Sequence, residues 1–257
     1  MSYDKQKVLD CAFSEVGYLE KATNSNLDDK TANAGSKNYT KYARDLAEVS
    51  YFNGSKKGVA WCAVFVAWCF FKSFGKTAAL ELLGQPTKDN CGAGCKYARN
   101  YFKNKGRLHY ENPQPGDVIF FYSSDKSSIQ HTGLVYKVDN SKVYTVEGNT
   151  SGASGVIANG GGVCKKSYAL TYTRIAGYGR PNYGESTQAT QQSAPSASTS
   201  TATQYTGTIH TTKQGDTLWG ISQKYLGKGI RYKEIMTLNG MENTIIRPGM
   251  KLKIPKG

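Results

Sequence analysis

Cys62 stands at the head of an apolar run, Trp61-Cys62-Ala63-Val64-Phe65-Val66-Ala67-Trp68-Cys69-Phe70-Phe71, behind a turn-forming segment at residues 51–58. A stretch that is apolar nearly all round reads as a buried helix. The first N–H groups of a helix lack intrahelical partners and carry partial positive charge. A thiol placed there shifts toward thiolate and becomes a usable nucleophile. Buried elsewhere among apolar side chains, a cysteine is inert. Chemistry at Cys62 therefore requires a base within hydrogen-bond reach and a third group that holds the base in one tautomer.

Residues 131–138 and 142–149 read as a β-hairpin around Asp139-Asn140-Ser141. A three-residue turn there sets Val138 opposite Lys142, so that opposed residue numbers add to 280 and His131 faces Asn149. Glu147 is then the diagonal neighbour of His131. The period of two puts His131, Glu147 and Asn149 on one face, and a slip of one residue would undo this. Taken singly, each has a blander reading: His131 as a structural histidine at the mouth of a strand, Glu147 and Asn149 as turn-capping residues around Gly148. The other histidines serve less well, since His109 sits beside a turn and His210 lies in a separate module. Cys69 shares the helix face of Cys62 but falls mid-helix, where no free N–H groups assist it, and is assigned to the core.

The elements that must position these residues come in α+β order. Helices are expected at residues 5–19, closed by Gly17, at 39–49, at 62–75 with Gly75 as the stop, and at 95–105. Strands follow at 118–122, in the hairpin, and at 167–178, with loops at 21–40 and 152–162. Residues 185–206, rich in Ser, Thr, Gln and Ala with no charge after Glu185, read as a flexible linker. It divides a larger domain, residues 1–184, from a module at 207–257 with the order strand, helix, helix, strand.

In the first domain, Trp61-Cys62-Ala63-Val64-Phe65-Val66-Ala67-Trp68-Cys69, then Pro115-Gly116-Asp117-Val118, His131-Thr132-Gly133-Leu134-Val135 and Val146-Glu147-Gly148-Asn149-Thr150 resemble a CHAP domain. These are cysteine, histidine-dependent amidohydrolases and peptidases of the NlpC/P60 superfamily with a papain-like α+β fold. The resemblance implies Cys62 as nucleophile, His131 as general base and later acid, and Glu147 as the group that orients the imidazole. It also implies Asn149 assisting or substituting in that role. Some CHAP domains hold calcium through aspartates shortly before the nucleophile. Residues 44–61 offer only Asp45 and Glu48, so no metal and no other cofactor is expected. Cys91-x-x-x-Cys95 has the look of half a metal clip, but only three histidines exist and no second cysteine pair stands at ligand spacing.

The C-terminal module resembles a LysM domain in Gln214-Gly215-Asp216-Thr217-Leu218-Trp219-Gly220-Ile221-Ser222, Leu238-Asn239-Gly240 and Ile246-Arg247-Pro248-Gly249-Met250-Lys251-Leu252-Lys253-Ile254-Pro255. That family binds N-acetylglucosamine-containing glycans between two loops. On this chain the loops place Gly215, Asp216, Thr217 and Leu218 on one side and Thr244, Ile245, Ile246 and Arg247 on the other. Asp216 equally suits a helix cap, and Trp219 the core.

The formal charge of +14 points to a polyanionic partner. Nine Lys or Arg against three Asp or Glu in residues 207–257 suit a wall carrying anionic polymers. A nucleic-acid binder would rest on charge alone, as no aromatic and basic platform accompanies it. The apolar run at 59–71, bounded by Lys57 and Lys72, is short for a membrane span, and the polar N-terminus lacks the apolar core of a signal peptide. Free thiols are the expectation for all six cysteines. Together these features imply a monomeric peptidoglycan hydrolase with N-acetylmuramoyl-L-alanine amidase activity favoured, made in a bacterial cytoplasm and acting at the wall after release. A phage or prophage endolysin is the expected setting. The alternatives are a stem-peptide or D-alanyl-glycyl endopeptidase, a bacterial autolysin, and a catalytically inactive wall-binding protein.

Overall fold

The computed structural model describes residues 2–86, 91–184, 205–213, 216, 218–241, 246 and 249–256. The chain divides into two compact units, residues 1–190 and 191–257.

In the first unit, helices α1 (Lys5–Ser14), α2 (Lys41–Glu48), α3 (Cys62–Leu83) and α4 (Cys95–Asn104) precede six strands: β1 (Leu108–His109), β2 (Val118–Tyr122), β3 (Ile129–Val138), β4 (Lys142–Thr150), β5 (Gly162–Ala169) and β6 (Ile175–Gly179). The expected α+β order holds. Asp4 caps α1 through the N–H of Gln6, and Thr40 caps α2 through that of Ala43. All strand pairs are antiparallel, in the order β1-β6-β2-β3-β4-β5. The last strand expected at 167–178 is two strands. β5 pairs with β4 at one edge, whereas β6 returns to lie between β1 and β2. The two-residue β1 was not anticipated.

Alternation along β2 gives the sheet two apolar faces. Val118 and Phe120 join the main core with α1, α2 and α3, and Ile119 and Phe121 join a smaller cluster with Val135, Val143, Tyr168 and Tyr178. α3 is broken rather than ended at Gly75 (φ 80°, ψ 169°), and helical structure resumes to Leu83 before Gly84 closes it in the left-handed region. By length and composition alone α3 would suffice to cross a membrane. Every residue from Cys62 to Phe70 is instead buried within the fold, against α1, β3 and β4. The Pro-Gly-Asp turn is a tie. Buried Asp117 accepts from the Gln114 N–H at 2.8 Å and from Arg180 Nε and Nη2, both at 2.9 Å, which fastens the start of β2 to the end of the domain.

The hairpin departs from expectation twice, and the departures cancel. Its turn has four residues, because Val138 pairs with Val143; the Asp139 carboxylate accepts from the N–H groups of Ser141 and Lys142. A bulge at Tyr136 then absorbs one residue of β3, and Leu134 pairs with Val146, where opposed numbers again add to 280.

In the second unit, β7 (Tyr205–Thr211), α5 (Leu218–Leu226), a 3-10 turn (Gly229–Arg231), α6 (Tyr232–Leu238) and β8 (Lys251–Pro255) give the expected βααβ order. β7 and β8 pair antiparallel. Leu218, Ile221, Leu226, Tyr232, Ile235, Leu252 and Ile254 form its core.

Gly148 is where β4 meets the first turn of α3. A Cβ there would stand 2.6 Å from Phe65 Cβ and 2.8 Å from the Trp61 ring. Gly148→Ala is therefore expected to lower stability by about 1–3 kcal/mol, the usual cost of overpacking. A urea titration checks this, and an unchanged midpoint would contradict so close an approach.

Candidate active site

Trp61 precedes α3 without capping it by a side chain, so the first N–H groups of the helix are left to other acceptors. Its indole donates to Glu20 Oε2 at 2.8 Å in the core, which fixes the residue before Cys62. Ile129, the first residue of β3, packs against Cys62, Ala63 and Cys95, so the head of α3 meets the sheet where β3 begins.

His131, two residues on, is fully buried. Its Nε2 hydrogen-bonds Glu147 Oε2 at 2.9 Å, and its ring stacks on Phe121 with centroids 6.0 Å apart. The Glu147 carboxylate, also fully buried, accepts from Thr145 Oγ1 at 2.5 Å and Tyr168 Oη at 3.1 Å as well. Three hydrogen bonds compensate much of the desolvation of a buried anion. Gly133 makes the crossing possible. A Cβ at that position would stand 2.5 Å from Glu147 Cγ, so a larger residue would push the glutamate off its path to His131.

With Nε2 engaged by Glu147, the nitrogen left for Cys62 is Nδ1, which has no other partner. The electrostatics of the two residues are complementary. The Cys62 thiol is held well below its usual value by a hydrogen bond from Cys95 first, against the opposing effect of burial, and then by His131 and the Ala63 N–H. Burial alone would lower His131, but Cys62 and Glu147 outweigh it and push it up to about 9. Both shifts favour a thiolate beside an imidazolium, the charge state of an activated cysteine.

The structure thus brings together Cys62, His131 and Glu147 and leaves Asn149 aside. Asn149 was expected to share the face of His131 and support its ring. It takes up a left-handed conformation (φ 55°) within the irregularity between Glu147 and Thr150, and its buried amide makes no hydrogen bond. The bulge turns this residue out of the strand's alternation, so Glu147 alone holds Nε2. Three participants were missed. Thr145 lies two residues before Glu147 on the same strand face, a relation the period of two contains. Tyr168 comes from β5, whose pairing with β4 no local pattern specified. Cys95, weighed only as a metal ligand, sits at the first position of α4 with its Sγ 3.3 Å from that of Cys62.

Calcium does not suit the segment before the nucleophile. The Asp45 carboxylate is occupied by Arg44 and the Trp68 indole, and Glu48 is exposed. No group of three or more His, Cys, Asp or Glu with metal-binding geometry occurs among the described residues.

In the second unit, Asp216 Oδ2 accepts from the Lys213 N–H at 2.8 Å and hydrogen-bonds His210 Nε2 at 2.7 Å. It thus closes the turn before α5. His210, set aside earlier, also meets Tyr225 Oη through Nδ1 at 3.2 Å. Leu218 is buried in the core, which leaves it no open loop surface for a glycan, and Ile246 is half-buried against that core. Gly215, Thr217, Thr244, Ile245 and Arg247 lie outside the described residues.

Comparison with known proteins agrees with the resemblances. The family model of the CHAP domain matches residues 54–149, and that of the LysM domain residues 210–255. The chain therefore contains one domain of each family. Over 119 residues it is 36% identical to the N-acetylmuramoyl-L-alanine amidase sle1 of Staphylococcus epidermidis, which covers 45% of this chain and 34% of that protein. Over 45 residues it is 51% identical to a probable N-acetylmuramidase of Lactococcus lactis subsp. lactis, covering 18% and 10%. The chain thus spans about a third or less of the length of these curated relatives. The crystal structure of Ly7917 aligns with a TM-score of 0.41 at 12% identity, over 70% of this chain and 63% of the other.

Glu147→Gln removes one of the two anions that hold the proton on His131. The His131 midpoint, followed by NMR of the ring, is expected near 9 in the native protein and lower in the variant. Equal midpoints would mean that the carboxylate does not act on the ring.

Proposed function

We propose that this protein hydrolyses an amide bond of peptidoglycan, with Cys62 as nucleophile, His131 as general acid and base, and Glu147 as the residue that positions the imidazole. The observation that carries the reading is the buried chain of contacts from Glu147 through His131 to Cys62 at the head of α3. The Cys62 thiolate attacks the amide carbonyl, and the N–H groups at the start of α3 face the oxyanion that forms. The imidazolium gives its proton to the leaving amine, and the ring then takes one from the water that resolves the thioester. Glu147 stabilises the charged ring at each stage.

The bond between N-acetylmuramic acid and L-alanine is the favoured target, supported by the named activity of the staphylococcal relative. Cleavage within the stem peptide or cross-bridge uses the same chemistry and is the second reading. The LysM domain serves as the anchor. Its surplus of positive charge suits an anionic wall, and tethering the enzyme there raises local substrate concentration without any further contact. The site of action is accordingly the cell wall.

Cys62→Ala is expected to abolish wall lysis, with a loss of at least about 10⁴-fold in turnover. Digested wall should show L-alanine as the new amino terminus. A different new terminus would move the assignment to an endopeptidase, and an active Cys62→Ala would overturn the mechanism. The rate with native enzyme should fall as pH rises through about 9, where His131 loses the proton destined for the leaving amine. It should also fall in acid as the Cys62 thiolate is protonated. A profile still rising above that pH would contradict the thiolate–imidazolium pair.

A further inference from the structure

In the hydrolytic scheme the second sulfur only supports the Cys62 thiolate by a hydrogen bond and takes part in no bond-making step. Cys62 and Cys95 each occupy the first position of a helix, and their sulfurs stand 3.3 Å apart with both side chains buried. A disulfide bond is about 2.0 Å long, so closure by about 1.3 Å would join them. The protonation states are complementary. Cys62 is held as thiolate, whereas its negative neighbour and burial keep Cys95 a thiol. Both are free thiols in the structure, and Ile129 packs beside them. Of the other cysteines, Cys11 neighbours Cys69, and Cys164 lies on β5.

We propose that Cys62 and Cys95 form a peroxide-sensitive modification site, in which Cys95 resolves the oxidised nucleophile into a reversible disulfide. This rests on the reading of Cys62 as the reactive thiolate. The thiolate attacks one oxygen of a hydroperoxide. A sulfur–oxygen bond forms, the oxygen–oxygen bond breaks, and the alkoxide or hydroxide leaves. Cys62 is then a sulfenic acid, oxidised by two electrons, and the peroxide is reduced by two. The Cys95 sulfur attacks the Cys62 sulfur. The sulfur–sulfur bond forms, and the sulfenic oxygen departs as water with the Cys95 proton. A dithiol reverses the change by thiol–disulfide exchange and is itself oxidised to a disulfide. Without Cys95 nearby, the sulfenic acid would proceed to sulfinic and sulfonic acids, which a dithiol does not reverse.

The test treats the full chain with hydrogen peroxide and follows intact mass, mapped peptides and wall lysis before and after dithiothreitol. The native protein should lose two hydrogens, yield a peptide cross-linked between Cys62 and Cys95, lose lysis, and recover it with dithiothreitol. Cys95→Ser and Cys95→Ala, each compared with its own untreated activity, should gain two or three oxygens on Cys62 and stay inactive. Two results would overturn the proposal: accumulation of sulfinic or sulfonic Cys62 in native protein as fast as in Cys95→Ser, or a cross-link confined to another cysteine pair. The mass measurement needs no wall hydrolysis. A cross-link in native protein together with an active Cys62→Ala would therefore fault the hydrolytic mechanism and leave the thiol pair standing.

Discussion

Glu147 is a carboxylate with no exposure to solvent, and a charge in that position must be matched by hydrogen bonds and an opposite charge or it neutralises. Three groups meet it: the hydroxyls of Thr145 and Tyr168, and the ring of His131. The hydroxyls donate hydrogen bonds but carry no charge. The compensating charge comes from the imidazole, which is thereby held protonated. A protonated His131 in turn favours thiolate at Cys62. An anion that never touches the sulfur thus adds, through His131, to the hydrogen bond that Cys95 supplies directly. This is also why the aromatic lining matters, since the ring of Phe121 against His131 keeps water from screening the pair.

Two glycines and one bulge bring these charges together. Gly133 leaves the space through which Glu147 reaches across β3, and Gly148 lets β4 lie against Trp61 and Phe65 at the first turn of α3. The bulge at Tyr136 returns the strands to the register that makes Glu147 the diagonal neighbour of His131. The apolar length of α3 anchors its head through Val64, Phe65 and Trp68 in the core, and the Asp117–Arg180 tie fixes β2 beneath His131. None of these features reacts. Each limits how far Cys62, His131 and Glu147 can drift.

Much of this was legible in the chain. The buried helix at Cys62 followed from composition, and the relation of His131 to Glu147 from strand period, although the turn length was misjudged and the bulge happened to restore it. Gly75 was read as a stop because glycine disrupts helices. The apolar residues Ala79, Leu80, Leu82 and Leu83, which carry α3 onward in the core, received too little weight. Asn149 was misplaced because strand alternation was extended through a position whose backbone is left-handed, which an Asn after a glycine could have signalled. Tyr168 and Cys95 arrive by long-range pairing and by helix packing. Local periodicity carries no information about either.

The account turns on a thiolate at Cys62 that exists well below the usual thiol range because His131 and Cys95 support it. The direct measurement is the rate of alkylation of Cys62 by a small haloacetamide as a function of pH, with Cys62→Ala as the blank. The thiolate–imidazolium pair predicts rapid alkylation that is already level at neutral pH. A rate that climbs about tenfold per pH unit until near 8.5, as for an unperturbed cysteine, would contradict it.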